Sequence, residues 1–502
     1  MKRFPIIVIL AACVAGCEVG PNYQRPATTM PSSFVASTPA TQPTAQVDEA
    51  RWWKALNDPE LNWLVGRAVE SNLDLQIAVA RLQEAREQEY AAIGVALPEM
   101  EADGAVARGS GVDSVKGRIP SDLDAGEQTS KVTEVTEVAG ADAVWNLDLF
   151  GGLRREIEAA KYDVQAAADA RNDVLVTLIG DVALAYTDQR AQQLRLAIVY
   201  SDIQAEEAST NLVETRYQRG FTNELDPELA ERELSTVRAE VAPLQAAMEQ
   251  DQRRLAFLLG DYPEELSMEL SRAGMTSGPP GLPTLPPRIE PGLPLDLLKR
   301  RPDIREAEHQ LAAQTSRIGV ALDALYPHVF ISGAAGVQGQ GLGRTPLEAS
   351  FIGTIGPGAY WSLLDFGTLD ALVKNQDYVT QEALLNYQRT VLAAVEQADD
   401  AIRDYAAAQD QLSNLADALT AARRAVQIAS QRYDRGFTNY LDVIDAQREL
   451  YALQDQYAVT QEQVVAQFIA IYKALGGGWE LYGKTPRADR PMPAIIAAVR
   501  GN

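Results

Sequence analysis

Arg216-Tyr217-Gln218-Arg219-Gly220-Phe221-Thr222-Asn223-Glu224-Leu225-Asp226 returns as Arg432-Tyr433-Asp434-Arg435-Gly436-Phe437-Thr438-Asn439-Tyr440-Leu441-Asp442, a shift of 216 positions. The chain is a duplicated unit, and both copies must present the same elements in the same order. The same shift carries Trp145 to Trp361 and Phe150-Gly151 to Phe366-Gly367. Upstream, Asn72-Leu73-Asp74-Leu75 matches Arg301-Pro302-Asp303-Ile304, and Pro98 matches Pro327, at a shift of 229. The segment between Pro98 and Trp145 is therefore 13 residues longer than its counterpart.

Helical patterning begins near Asp58. From Asp370 to Arg435 there is neither Gly nor Pro, and Leu384, Tyr387, Val391, Ala394, Ala398 and Ala401 open a seam of three- and four-residue steps that runs on to Tyr433. A heptad seam of that length predicts a supercoiled helix about 100 Å long. The matching positions of the first repeat are apolar or Tyr at 10 of 15, with Arg171, Gln189, Gln192, Glu206 and Thr210 as exceptions. After each Arg-Gly-Phe-Thr-Asn turn a return helix is expected, roughly 227–259 and 440–475, stopped by Gly260 or by Gly476-Gly477-Gly478. Helices over roughly 73–96 and 303–325 would stack end to end with the return helices and so match the long ones.

Between the helices lie weak period-2 runs: Met100, Ala102, Gly104 and Val106, then Ala139, Ala141, Ala143 and Trp145; and Val329, Ile331, Gly333, Ala335 and Val337, then Phe351 to Trp361. Each has about the 9–11 residues that a membrane-spanning strand needs. Four strands cannot close a barrel, so several chains must pool theirs, because an open edge in lipid leaves backbone groups unpaired. The other reading of these runs is a small hairpin subdomain outside the membrane.

The N-terminus reads as Lys2 and Arg3, an apolar run from Phe4 to Ala15, and Val14-Ala15-Gly16-Cys17. That run is too short to span a bilayer and resembles a lipoprotein signal, cut to leave Cys17 as an acylated N-terminus; the plainer reading is a secretory signal with an incidental cysteine. Cys13 would leave with the signal, so no disulfide is available. Glu18 follows in place of the aspartate that would resemble an inner-membrane retention signal, which favours the outer membrane. The organisation expected is a signal peptide over 1–16, a lipid-anchored tether over 17–57, a first repeat over 58–260, a Pro/Gly-rich connector over 261–300, a second repeat over 301–478 and a tail over 479–502. The net charge of −24 and pI near 4.6 oppose nucleic acid and anionic lipid surfaces as partners, leaving protein, acyl chains or cations. Two histidines, one mature thiol and no Gly-rich phosphate loop give catalysis or metal binding no constellation.

Cys17-Glu18-Val19-Gly20-Pro21-Asn22-Tyr23-Gln24-Arg25-Pro26, the Trp52-Trp53 pair, Leu297-Leu298-Lys299-Arg300-Arg301-Pro302-Asp303-Ile304, both Arg-Gly-Phe-Thr-Asn turns and Tyr472-Lys473-Ala474-Leu475-Gly476-Gly477-Gly478-Trp479 resemble the outer-membrane factor family of tripartite efflux pumps and export systems, of TolC and OprM type. The resemblance covers nearly the whole mature chain. It implies a mainly α protein with a membrane β-barrel: a homotrimer whose four strands per chain make a 12-stranded barrel and whose helices make an α-barrel across the periplasm. It also implies a periplasmic adaptor and an inner-membrane pump of resistance-nodulation-division type as partners, outer-membrane lipid around the barrel, and no cofactor beyond the lipid on Cys17.

The resemblance makes the two turns, Arg219-Gly220-Phe221-Thr222 and Arg435-Gly436-Phe437-Thr438, the tips that meet the adaptor. The plainer reading is turn geometry alone, since positive φ favours Gly. Asp442 and Asp445 share a helix face and match the aspartates lining the closed entrance of such channels. Against this stands capping: Asn439 suits the N-cap with Asp442 in the first turn. In the first repeat Asp226 precedes Pro227 and reads as a plain cap, while Leu229 replaces Asp445. Trp145 and Trp361 are either membrane-interface anchors or packing at the strand-to-helix junction. His309 and His328 read as structural or exposed. The function expected is a passive exit duct for small toxic compounds, not an enzyme; the alternatives are a periplasmic spacer without a pore and a type I protein-export duct.

Overall fold

The computed structural model describes residues 18–27, 47–109, 134–272, 281–286, 294–342 and 348–482. In chain order they form helices α1 (Pro59–Ser71) and α2 (Leu73–Val95), strands β1 (Glu99–Gly109) and β2 (Glu134–Leu147), and helices α3 (Gly152–Gln218), α4 (Leu225–Ala239), α5 (Val241–Leu259), α6 (Pro263–Arg272), α7 (Pro294–Arg300) and α8 (Pro302–Asp323). Strands β3 (His328–Leu342) and β4 (Glu348–Tyr360) and helices α9 (Thr368–Asp434) and α10 (Tyr440–Ala474) complete the second repeat. Both long helices, α3 and α9, have 67 residues, in the register of the 216-residue repeat. Each starts beyond a left-handed glycine, Gly151 at φ 88° or Gly367 at φ 85°. A nearby carboxylate satisfies the orphan amides there: Asp148 accepts from Leu153 and Arg154, Asp365 from Gly367 and Leu369.

The end-to-end stacking has a definite joint. Asn72 caps α2 through Leu75 and donates to the Leu258 carbonyl at 2.8 Å, tying the start of α2 to the end of α5. At the matching place Arg301, ahead of α8, donates to the Ala474 carbonyl at 2.9 Å. Each joint satisfies carbonyls that a helix C-terminus leaves unpaired.

Four antiparallel strands form one sheet in the order β1-β2-β3-β4. The pairings Met100↔Ala143, Ala143↔Gly333 and Gly333↔Ile355 bring the alternating sets onto common faces. One face carries Met100, Trp145, Val337, Phe351 and Ile355, all exposed; the other carries Glu99, Glu101, Asp103, Asp142 and Ser332, with Val138 and Ala334 buried together. An apolar face opposite a polar one is the pattern of a barrel wall in lipid. The strands, at 11, 14, 15 and 13 residues, extend beyond the alternating runs read from sequence. The helices keep the same lateral order: α2 with α4 and α5, then α3, then α8 with α10, then α9.

The structure adds detail at four places in the sequence reading. The first return helix starts at Leu225 and is broken at Glu240, because Pro243 lacks the N–H that would continue the ladder; Val459 stands at that place in the unbroken α10. The connector over 261–300 holds two short helices, α6 and α7. At the start of the tail, the Trp479 indole donates to the Arg300 carbonyl at 3.0 Å. Residues 17–57 are not simply a tether. Trp52 and Trp53, in a short 3₁₀ helix over Glu49–Leu56, are among the most deeply buried side chains, and the Trp52 ring stacks on Tyr472 at 5.7 Å. Residues 18–26 form a strap across both repeats: Val19 donates to the Phe150 carbonyl, and Gly20 packs so closely that a Cβ there would lie 2.6 Å from Gly319 Cα.

Candidate functional site

Both long helices end in the same hydrogen-bonded turn. Gly220 donates to Tyr217 and Phe221 to Arg216, each at 2.9 Å; Gly436 donates to Tyr433 and Phe437 to Arg432, also each at 2.9 Å. These paired bonds satisfy the last carbonyls and require the left-handed glycine, found at φ 73° and 75°. Nothing lies within 4 Å of where a Cβ would stand on either glycine. Arg219 and Arg435 are the helix caps, and Phe221 and Phe437 project with 71% of their surface exposed. Such exposure of two matched aromatics has no packing explanation among the described residues.

The tips are bound to one another. Val213 and Ala230 of the first repeat pack with Tyr433, Tyr440, Val443 and Ile444 of the second. The Arg216 guanidinium lies 4.5 Å over the Tyr433 ring and donates to the Asp434 carbonyl at 3.2 Å.

Asp442 and Asp445 are both exposed and lie on one face of α10, opposite Val443 and Ile444, which enter the tip core. Asn439 is the N-cap, accepting from the Asp442 amide at 3.2 Å, and the Asp442 carboxylate accepts from the Thr438 hydroxyl. Asp445 takes no part in capping; Arg448, one turn on, feels its charge. In the first repeat Asp226 is not the cap: it lies within the first turn of α4 and accepts from Thr222 and from the Tyr433 hydroxyl, while Asn223 accepts from the Leu225 amide. Leu229 packs against the tip core, so the acidic face occurs once per chain.

At the other end of the helices the tryptophans occupy matched junctions. The Trp145 indole donates to the Ala96 carbonyl at 3.2 Å, and Trp361, one residue past β4, donates to the Leu325 carbonyl at 3.0 Å. Both carbonyls lie at helix ends, and both rings remain about half exposed. The packing reading therefore has a specific bond behind it, and the exposed rings leave the anchoring role open to test. His309 lies 3.0 Å from Asp169 and stacks on Tyr162; His328 stacks on Tyr360. Both are structural. Cys17 lies outside the described residues.

Among the described residues one group of carboxylates has metal-like spacing, Glu101, Asp103 and Asp142, within 4.8 Å of one another. Strand alternation alone puts them there, since Glu101 pairs with Asp142 and Asp103 follows on the same face. Among the described residues no helix is long and apolar enough to cross a membrane.

Sequence reasoning missed two features. One is the strap's anchor, Arg155, which is buried and donates to Val19, Gly20 and Asn22 while paired with Glu158. The other is buried acid. Glu206, an exception in the heptad seam, is fully buried, and burial raises its carboxyl above the usual range; Asp202 is raised to about 6 for the same reason. The seam exceptions were the available signal.

The family model for "Outer membrane efflux protein" matches residues 64–261 and 293–477. The toluene efflux pump outer membrane protein TtgF of Pseudomonas putida is 29% identical over 508 residues, covering 97% of this chain and 99% of that one. The cation efflux system protein CusC of Escherichia coli is 28% identical over 480 residues, covering 95% and 99%, and the probable outer membrane lipoprotein SilC of Salmonella typhimurium 28% over 486 residues, covering 94% and 97%. Among solved structures, the outer-membrane channel OprN superposes with a TM-score of 0.81 at 32% identity, over 92% of this chain and 100% of that one. The chain belongs to the outer membrane efflux protein family and is the outer-membrane exit duct of an efflux system.

Proposed function

We propose that three copies of the chain close into one passive conduit, with 12 strands in the outer membrane and the helices crossing the periplasm. One observation carries this reading: sheet and helix layer are open at the same two sides. Strands β1 and β4 have no partner on their outer edges, and α9 has no extended packing against α2, α4 or α5 among the described residues. Both open sides carry exposed apolar residues, Leu385 and Leu392 on α9, Leu73, Ile77 and Phe257 on the other. A second copy laid edge to edge covers both at once and pairs the backbone groups that lipid would leave orphaned.

In this reading the lipid on Cys17 anchors the strap at the barrel base, with Trp145 and Trp361 at the membrane interface. The tips at Arg219-Gly220-Phe221-Thr222 and Arg435-Gly436-Phe437-Thr438 dock a periplasmic adaptor fed by an inner-membrane pump. Asp442 and Asp445, repeated around the threefold axis, ring the entrance with six carboxylates. The chain carries no catalytic function and its energy comes from its partners. Relatives named for toluene and for cation efflux support small toxic compounds or ions as cargo.

The test is native mass spectrometry with planar-bilayer conductance on the purified protein. A trimer that conducts is the expected result. A non-conducting particle would favour a periplasmic spacer, and a deletion strain that secretes one protein poorly yet resists small toxins normally would favour type I export.

A further inference from the structure

Helices α3 and α10 belong to different repeats and lie side by side, and α4 and α5 pack on α3 as well. Where α4 breaks into α5, these four helices enclose a cavity of about 660 Å³, within the size range of small-molecule sites. Pro243, which makes the break, is part of its lining. The walls include Ile198, Val199, Val237 and Leu244, together with Tyr451, whose hydroxyl is held by Glu206 at 2.8 Å. None of the exposed apolar residues that flank the open sides of the sheet and helix layer lines it.

The charged lining is unbalanced. Arg448 is bonded to Glu233 at 2.6 Å and Arg195 to Asp455 at 2.6 Å, so each arginine is neutralised by an acid beside it. Two further acids line the cavity, Asp202 and Glu240, and neither forms an ion pair among the described residues. Asp202 is 6% exposed; its Oδ1 accepts from the Gln454 amide at 3.2 Å, and its Oδ2 takes no bond among the described residues. A carboxylate that deep with no cation beside it is costly. Helix packing does not demand either acid, as the second repeat shows: Ala418 stands at the place of Asp202, Gln456 at the place of Glu240, and α10 runs unbroken through Val459.

We propose that this cavity binds one apolar organic cation per chain and faces the inside of the duct just above its entrance. The inference rests on the duct reading above. Asp445, Arg448, Ala452 and Asp455 stand three, four and three residues apart, on one face of α10, so the cavity opens on the side that carries the entrance aspartates. Asp455 lies about 15 Å beyond Asp445 along the helix. A cation that has passed the entrance meets walls that take its apolar groups out of water, an aromatic ring at Tyr451, and two free acids that balance its charge. An anion of the same shape meets the same walls and two like charges. The acids occur in one repeat only, so a trimer holds three such sites.

The test uses tetraphenylphosphonium and tetraphenylborate, ions of one shape and opposite charge, in equilibrium dialysis against full-length trimers with uptake by protein-free micelles subtracted. Wild type is expected to bind the cation saturably, at up to three per trimer, and the anion at least about tenfold more weakly. Asp202→Asn with Glu240→Gln keeps the shape of the cavity and should weaken the cation by at least about tenfold. Thr236→Trp, an exposed substitution at the rim, should block binding with both acids in place, which covers the case of the double variant failing to assemble. Single-channel current should be reduced by the cation in wild type and resist it in both variants, Asp442 and Asp445 being present in all three. Equal affinity for the two ions, or cation binding unchanged in either variant, overturns the site. Cation binding that leaves the current of a conducting trimer untouched overturns its placement inside the duct. Absence of current from wild type, with binding that follows the expected pattern, would count against the duct reading and leave the site standing.

Discussion

Arg155 near the base of the first long helix donates to the Asn22 side chain at 2.6 Å, so a residue five places after Cys17 is held by a cation with 2% of its surface exposed. The strap it holds also crosses to the second repeat, where Tyr23 donates to Glu308 at 3.3 Å. The N-terminal segment therefore fastens the two repeats together below the sheet.

Arg155→Met should keep the aliphatic packing but orphan the carbonyls of Val19 and Gly20, at about 1–3 kcal/mol. We expect a lower thermal midpoint and faster proteolysis within residues 18–27, while Cys17→Ser, which leaves the strap intact, should reduce membrane retention without the same loss of stability. A variant with wild-type melting would remove the strap from the stabilising contacts.

Gly436→Trp meets no steric obstacle, so its effect on folding should be limited to the left-handed backbone penalty of roughly 1–2 kcal/mol. Trimers should form while cross-linking to the adaptor and efflux both fail, because the turn that presents Phe437 is displaced. Normal cross-linking in this variant would reduce the tips to turn geometry.

Replacing both Asp442 and Asp445 by Ala leaves the Asn439 cap in place, so stability should change by about 1 kcal/mol or less, the Thr438 bond being the one lost. Cation selectivity and block by added divalent ions should both weaken, read as single-channel reversal potential and current. Unchanged selectivity and block would return both residues to the helix start.

Burial, reinforced by Asp173, Asp303 and Asp169, lifts the Glu306 carboxyl on α8 to about 7 from an ordinary 4.5. The folded chain binds that proton more tightly than the unfolded one, so its stabilisation is full below about 4.5 and lost as pH rises through 7. Glu306→Gln should raise the thermal midpoint at pH 8 and leave it nearly unchanged at pH 4.5; equal effects at both would refute the assignment.

Much of the architecture was legible because it rests on local chemistry that survives in one dimension. The repeated Arg-Gly-Phe-Thr-Asn turns encode a left-handed glycine and helix stop, and they marked where both long helices end. The heptad seam up to Tyr433 gave the second long helix its length, and the period-2 runs marked all four strands although not their ends. The broken return helix was also announced, by Pro243, but the apolar pattern across it masked the break. Asp226 was misread because Asn223, three residues earlier, supplies the side chain that caps the turn.

From the sequence alone came the duplication, the helix and strand types and the alternating face of the first three strands, since these depend on backbone propensity and spacing within a few turns. Tertiary structure decided which acids are buried, where residues 18–26 attach, and which edges stay open. Those depend on distant segments meeting: Glu206 is buried against Tyr451, 245 residues away, and Arg155 meets Asn22 across 133. A charge or a glycine carries no mark of its distant neighbour until the chain has folded around it.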